Sequence, residues 1–122
     1  MSSSQPMRFK DKKTFHARKK DSEAILAQYP DKIPIIIEKY KNERNLPVLD
    51  KIKYLVPFDM TMGSLTSIIR KRLQLSSAQS LFMLVNQKSL TCASTVVGDV
   101  YKDDKDDDGF LYIVYASQEI FG

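Results

Sequence analysis

The sequence predicts an α+β fold in which one helix crosses a four-stranded mixed sheet, preceded by two short N-terminal helices. The 122 residues suit a single domain, and a hydrophobic content of 43% is enough for a modest core. Short apolar runs typical of strands flank one longer segment with helical spacing. The order of these segments along the chain decides the architecture.

Two strands are predicted before the crossing helix. A β-branched run at residues 33–37 forms the first, and an alternating run at residues 51–56 forms the second. Because the connection between them is short, the two strands should pair antiparallel. Pro34 lies near the start of the first strand, where a missing N–H is tolerated.

The main helix is predicted to run from Thr61, a suitable N-cap residue, to Leu73. Apolar side chains recur at Leu65, Ile68, Ile69 and Leu73 with the spacing of one helix face. This stripe should pack on the sheet.

Four further segments complete the fold. Strands are predicted at residues 81–85 and 110–116 with a short helix between them, and two helices, at residues 6–13 and 20–28, precede the sheet. The order β-β-α-β-α-β after these helices is that of the ubiquitin-like β-grasp fold. A right-handed crossover makes the last strand parallel to the first and leaves the second strand at an edge.

Positive charge is concentrated at the N-terminus. Residues 1–20 carry seven cations against one acid, whereas the whole chain has a net charge of +4. We therefore divide the chain into a basic N-terminal helical arm, residues 1–30, which packs on the domain, and a ubiquitin-like domain with a flexible tail, residues 31–122. A basic arm favours an acidic partner such as a membrane surface, an acidic protein tail or nucleic acid, although a merely solvated basic helix fits equally well.

Few residues suit catalysis. His16 lies in the basic arm, and Cys92 stands among small residues, which predicts a small packed thiol. One cysteine excludes an internal disulfide framework, and neither clustered metal ligands nor a phosphate-binding glycine loop is present in the sequence. We therefore expect a chain that is acted upon, with no enzymatic activity, cofactor or metal of its own.

The chain ends in a short tail and Gly122. Because glycine lacks Cβ, its carboxylate can enter a narrow active site and react without steric hindrance. A frayed chain end is the simpler explanation of the glycine taken alone.

The second strand, at the edge, is a candidate docking site. Exposed edge strands accept incoming peptides through main-chain hydrogen bonds, while pockets supply specificity. The pattern suggests one pocket beside the second N-terminal helix and another beside the main helix, although the same residues also suit an ordinary core. Arg72 borders the second pocket and either pairs with an acid such as Asp50 or offers its guanidinium to a ligand.

Six segments together carry a resemblance to the ubiquitin-like autophagy modifier family, covering nearly the whole chain from Phe9 to Gly122. The chain resembles the microtubule-associated light-chain-three branch more than the GABARAP branch. The segments are KIPIIIE at 32–38, LPVLDK at 46–51, YLVP at 54–57, IRKRLQL at 69–75, LVN at 84–86, and DGFLY at 108–112 through YASQEIFG at 115–122.

The resemblance implies a mechanism of conjugation. A cysteine protease would expose Gly122, an activating enzyme would adenylate its carboxylate with ATP, and conjugating enzymes would pass the acyl group to phosphatidylethanolamine. The protein would be a cytoplasmic monomer before conjugation and would lie on the autophagosome membrane afterwards.

The resemblance also implies binding of cargo receptors through motifs with an aromatic residue, two variable residues and an aliphatic one, often preceded by acids. Tyr54 departs from the family, which often has phenylalanine there. The aromatic pocket would comprise Asp21, Ile25, Pro34, Lys53, Leu55 and Phe110. The aliphatic pocket would comprise Tyr54, Val56, Pro57, Leu65, Ile68, Ile69 and Arg72. The motif's acids would meet Lys12, Lys13, Lys32 and Lys51.

A second hypothesis is a cytoskeletal or RNA-binding accessory module that acts through the basic arm, with tubulin among its candidate partners. Binding by charge alone should weaken steeply as salt rises, whereas docking into apolar pockets should persist.

Overall fold

The computed structural model describes residues 7–86, 88–89 and 92–118. These residues form four helices and five strands. In chain order they are α1 (Phe9–Lys12), α2 (Phe15–Gln28), β1 (Lys32–Lys39), β2 (Lys53–Pro57), α3 (Met62–Leu73), β3 (Phe82–Val85), β4 (Lys88–Ser89), α4 (Val97–Asp104) and β5 (Leu111–Ala116).

The strands form one mixed sheet in the order β2-β1-β5-β3-β4. β1 pairs in parallel with β5 and antiparallel with β2, in a register that places Pro34 opposite Leu55. The predicted β-grasp fold is confirmed, including the parallel pairing of the first and last long strands and the edge position of β2. The structure adds to the four predicted strands the two-residue strand β4, which pairs antiparallel with β3.

The main core lies between α3 and one face of the sheet. Successive strand side chains point to opposite faces, so alternate residues of β1, such as Ile35 and Ile37, point into this core. They join Leu65 and Ile69 of α3, which have no exposed surface. Ile68 belongs to the predicted stripe, but 38% of its surface stays exposed.

A smaller core lies on the other face of the sheet. Phe9 of α1 is buried there with Ile36 and Phe110. The rings of Phe9 and Phe110 meet edge to face, with their centroids 5.4 Å apart. The helix α1 is therefore part of the folded body, and the boundary at residue 30 between arm and domain stays a prediction.

The helix α2 begins at Phe15, so the prediction of a start near residue 20 was wrong. Thr14 is the N-cap residue, and its hydroxyl oxygen accepts a hydrogen bond from the N–H of Ala17 at 3.1 Å. The first turn of α2 is mostly exposed and shows no apolar periodicity, which is why the pattern did not reveal it.

A buried ion pair joins α2 to the turn before β5. Arg18 Nη1 donates to Asp108 Oδ2 at 2.5 Å, and the hydroxyl of Tyr112 donates to the same oxygen. The other oxygen of Asp108 accepts the N–H of Phe110 at 2.9 Å. Because burying charges is costly unless their hydrogen bonds are satisfied, these contacts fix the position of α2 on the sheet.

Candidate functional site

The outer side of β2 has no neighbouring strand among the described residues. Two hydrogen bonds show which positions of β2 bond to β1. The N–H of Ile37 donates to the carbonyl of Ile52 at 2.8 Å, and the N–H of Phe58 donates to the carbonyl of Asp31 at 3.1 Å. Bonded positions alternate along an antiparallel strand, so the even-numbered residues of β2 bond to β1.

The odd-numbered residues of β2 therefore direct their backbone groups outward. Lys53 and Leu55 each offer an N–H and a carbonyl, whereas Pro57 offers only a carbonyl. We call these outward backbone groups the open edge. They are the groups that an added strand would use.

The residues predicted for the aromatic pocket gather beside the open edge, on the α2 face of the sheet. Leu55 lies opposite Pro34 in the ladder. Ile25 of α2 packs against the smaller core that contains Phe110. Phe110 is fully buried and forms the floor, whereas Leu55 is 38% exposed and forms the rim.

Asp21 links α2 to the edge strand. Its Oδ2 lies 2.8 Å from Lys13 Nζ and 3.1 Å from Lys53 Nζ. The hydrogen bond from Lys13, reinforced by Lys53, holds the pKa of Asp21 below its usual value despite the opposing effect of burial. Lys53 Nζ also lies 5.9 Å from the centre of the Phe110 ring. The structure thus brings all six aromatic-pocket residues together.

Most of the residues predicted for the aliphatic pocket lie on the opposite face of the sheet, toward α3. On α3, Ile68, which is 38% exposed, and Arg72 are its accessible members, whereas Pro57 alternates with Val56 along β2 and so points to the α2 face. Burial of the other four is also what an ordinary core requires, so their part in binding stays a prediction. These four are Tyr54, Val56, Leu65 and Ile69.

Arg72 pairs with Asp50 and lies beside Tyr54. Its Nη2 is 3.2 Å from each carboxylate oxygen of Asp50, and its guanidinium carbon is 5.8 Å from the centre of the Tyr54 ring. The hydroxyl of Tyr54 donates to the carbonyl of Lys51 at 2.6 Å, and burial raises the pKa of this phenol. Of the two roles left open for Arg72, the structure shows the pairing with Asp50, and contact of its guanidinium with a ligand stays a prediction.

The four lysines predicted to meet acids do not form one cluster. Lys13 reaches β2 through Asp21, which also binds Lys53. Lys51 lies two residues before the strand, with its Nζ 5.2 Å from the centre of the Tyr54 ring. Lys12 lies near the same end of β2, in a cavity described below. Lys32 lies opposite Pro57, at the other end of the edge.

Sequence reasoning missed Val48, which is 44% exposed. It lines a cavity of about 210 Å³ near the beginning of β2, between the start of α1 and the connection from β1. We call this the N-terminal cavity; Met7, Lys12, Asp50 and Ile52 are among its other lining residues. The available signal was an apolar residue beside Pro47 in the connection between the first two predicted strands.

Cys92 is exposed, so the prediction of a packed thiol was wrong. Hydrogen bonding to the hydroxyls of Ser94 and Thr95 lowers the pKa of its thiol to about 7. His16 is exposed on α2. Within the described ranges, no group of three His, Cys, Asp or Glu residues is arranged to hold a metal ion. None of the helices found there has the length and apolar character to cross a bilayer.

The chain leaves the sheet from β5, which lies between β1 and β3. Just beyond β5, the N–H of Ser117 donates to Glu43 Oε1 at 2.7 Å and its hydroxyl donates to Oε2 at 2.8 Å. Gly122, the predicted conjugation residue, lies outside the described residues.

Comparison with known proteins agrees with this fold. The family model for "Autophagy protein Atg8 ubiquitin like" matches residues 17–122. Protein lgg-2 of Caenorhabditis elegans is 46% identical over 114 residues, which are 93% of this chain and 88% of that protein. Human microtubule-associated protein 1 light chain 3 gamma is also 46% identical over 114 residues, covering 93% of this chain and 78% of that protein. The crystal structure of Trypanosoma brucei ATG8 superposes with a TM-score of 0.85 at 38% identity, covering 97% of this chain and all of that one.

The fold and its open edge define a ubiquitin-like protein. The chain belongs to the Atg8 family of ubiquitin-like autophagy proteins, and its relatives identify it as a light-chain-three-like member. Proteins of this family are ubiquitin-like modifiers that act in autophagy. The alternative of a cytoskeletal or RNA-binding accessory module gains no support from these comparisons.

Proposed function

We propose that this protein is conjugated through the carboxylate of Gly122 to phosphatidylethanolamine on autophagosomal membranes. We further propose that it recruits cargo receptors there by docking their motifs on the open edge. The observation that supports the second proposal is the outer side of β2, which has no neighbouring strand among the described residues and lies beside the exposed side chains of Leu55 and Ile68. Family membership supports both.

The spacing of the motif matches the geometry of the two pockets. In an extended strand, side chains three positions apart point to opposite faces. One peptide strand added to β2 therefore directs its aromatic residue to the α2 face, beside Leu55, and its aliphatic residue to the α3 face, beside Ile68. The backbone groups of Lys53 and Leu55 would supply the main-chain hydrogen bonds.

The charges near β2 indicate the direction of the peptide. Lys12, Lys13 and Lys51 lie near the beginning of β2. Acids that precede the aromatic residue would meet these lysines if the peptide runs parallel to β2. Lys32, at the far end, would then meet residues that follow the motif.

Conjugation requires activation because a carboxylate at neutral pH is a poor electrophile. Attack of the Gly122 carboxylate on ATP releases pyrophosphate and leaves an acyl adenylate. A cysteine thiol of the activating enzyme displaces AMP to form a thioester, which passes to the conjugating enzyme. The lipid amine then displaces that thiol and forms an amide. The missing Cβ of glycine leaves each carbonyl unhindered.

The diacyl product would anchor firmly, because each buried CH₂ contributes about 0.8 kcal/mol and two chains suffice where one is marginal. The unconjugated chain would reside in the cytoplasm, where a processing cysteine protease would act on any precursor. Family membership suggests these partners.

Incubation of the purified chain with the family's activating and conjugating enzymes, ATP and phosphatidylethanolamine liposomes tests the conjugation. We expect a mass increase of one phospholipid in the wild-type chain and none in Gly122→Ala. Both chains should bind a peptide with the aromatic-x-x-aliphatic motif equally well by calorimetry. Lipidation of Gly122→Ala at the wild-type level would refute the role of Gly122.

A further inference from the structure

We propose that the N-terminal cavity is a third subsite for peptides bound on the open edge. It takes an aliphatic side chain that lies three to five residues before the aromatic residue of the motif, within an acidic segment. This inference rests on the proposed docking of motifs on β2 and extends it beyond the two pockets described above.

The cavity lies on the path of such a peptide. Ile52 and Asp50, which line the cavity, lie three and five residues before Leu55 of the aromatic-pocket rim. Ile52 directly precedes β2, and at about 3.3 Å per residue it lies roughly 10 Å from Leu55, while Asp50 lies in the bend before it. A peptide that runs parallel to β2 therefore reaches the cavity within three to five residues.

The lining of the cavity suits an apolar side chain. Met7 and Val48, which both line the cavity, are 60% and 44% exposed. Ile52 contributes further apolar surface and packs against the smaller core. Covering this surface removes apolar area from water, which favours an aliphatic occupant.

The charges around the cavity favour an acidic peptide. Glu38 is engaged, because its Oε2 accepts the N–H of Phe9 at 2.8 Å and its Oε1 lies 3.9 Å from Arg8 Nη1. Asp50 is paired with Arg72. Lys12 and Lys51, in contrast, form no ion pair with any acid of the described segments. The uncompensated charges are therefore positive, and they would attract acids flanking the aliphatic residue.

Two synthetic peptides test the subsite. Both carry the same acids and the same aromatic-x-x-aliphatic core, but one has leucine and the other alanine four residues before the aromatic position. Calorimetry with the full chain should show that the leucine peptide binds about fivefold more tightly, as expected for partial burial of an aliphatic side chain. This preference should fall below about twofold in Val48→Ala and persist in Val96→Ala, which removes the same atoms at a half-buried position outside the cavity.

The contribution of the Lys12 charge is tested separately, with a lysine of α2 as the control. Lys12→Ala should weaken both peptides at low salt by more than Lys20→Ala does, since Lys20 is exposed on α2 and carries the same charge. Equal losses in the two variants would refute the electrostatic part of the proposal.

The outcomes separate this inference from the function on which it rests. If both peptides bind the wild-type chain equally, the third subsite is refuted while docking on β2 stands. If neither peptide binds, docking on β2 itself fails. A leucine preference that survives in Val48→Ala refutes the placement in this cavity. A dimer in sedimentation that Val48→Ala dissociates would assign the cavity to a second copy of the chain and also refute the proposal.

Discussion

Glu43 accepts two hydrogen bonds from Ser117, one from its backbone N–H and one from its hydroxyl, where the chain leaves β5. Glu43 is buried, and its Oε2 also accepts the N–H of Asn45 at 2.8 Å. The contact spans 74 positions of the sequence. It fixes the position of the chain just after β5, at the last residues that the structure describes.

Replacing this carboxylate should destabilise the fold in a pH-dependent way. We expect Glu43→Gln to lower the free energy of unfolding at pH 7 by about 1–2 kcal/mol, because an amide accepts fewer and weaker bonds than a carboxylate. Burial alone would raise the pKa of Glu43, but the hydrogen bonds from Ser117 and Asn45 hold that pKa below its usual value. A carboxyl with a lowered folded pKa stabilises the fold above its unfolded pKa, about 4.3, and loses this contribution as pH falls through the folded pKa.

Denaturant unfolding at pH 7 and at about pH 3 measures this contribution. The difference between the wild-type chain and Glu43→Gln should shrink at the lower pH. Glu23→Gln, at an exposed position of α2, serves as the control and should change little at either pH. A difference for Glu43→Gln that is the same at both pH values would contradict the prediction.

The alternation of backbone groups along β2 predicts that proline substitutions at two neighbouring positions have different effects on stability. Leu55→Pro removes an N–H that points outward, so the fold should survive while affinity for motif peptides falls at least tenfold beyond that of Leu55→Ala. Val56→Pro removes an N–H that bonds to β1 and should unfold the chain or cost about 3 kcal/mol or more. Circular dichroism and calorimetry check the pair. Similar stabilities for the two variants would show that the assignment of the open edge is incorrect.

The hydroxyl of Tyr54 should matter for stability more than for motif preference. Because it donates to the carbonyl of Lys51, Tyr54→Phe should lower the free energy of unfolding by about 1 kcal/mol. Affinity for a motif peptide with a leucine in the aliphatic position should change by less than about twofold. Thermal melts and calorimetry give the two values. A large gain or loss of affinity with unchanged stability would mean that the hydroxyl faces the ligand.

Arg72→Ala should weaken motif peptides without weakening the fold. The pair with Asp50 is exposed, with 74% of the Asp50 side chain accessible, so its loss should cost less than about 0.5 kcal/mol of stability. We expect a several-fold loss of peptide affinity, because Arg72 borders the aliphatic pocket. Arg70→Ala is the matched control, since Arg70 donates to the carbonyl of Ser76, away from β2. Unchanged affinity in Arg72→Ala would leave Arg72 with a structural role.

Local patterns were sufficient to predict most of the fold. The apolar runs at 33–37 and 110–116 became β1 and β5 with small shifts at their ends, and the edge position of β2 followed from the handedness of one crossover. Thr14 is a suitable N-cap residue, but the start of α2 was missed because the turn that follows Thr14 has no apolar periodicity. The ion pair of Arg18 with Asp108 joins residues 90 positions apart, and no local pattern encodes such a contact.

The candidate site was only partly predictable, because part of it depends on contacts between distant segments of the chain. The residues of the two pockets could be named from patterns and resemblance, but which backbone groups of β2 face outward depends on the ladder register. Whether the odd-numbered or the even-numbered residues of β2 face outward is shown by the hydrogen bonds of Ile37 and Phe58, which cannot be read from the sequence. Val48 was missed because it lies in a connection without periodicity, where only tertiary contacts reveal a cavity.

The strand order also has a mechanical consequence. A receptor attached to β2 and a lipid attached beyond β5 would pull on two strands that are separated by β1 alone. A force directed along the strands loads the hydrogen bonds between β1 and β5 together, in shear, instead of opening them one after another. The body should therefore transmit tension from cargo to membrane without extending.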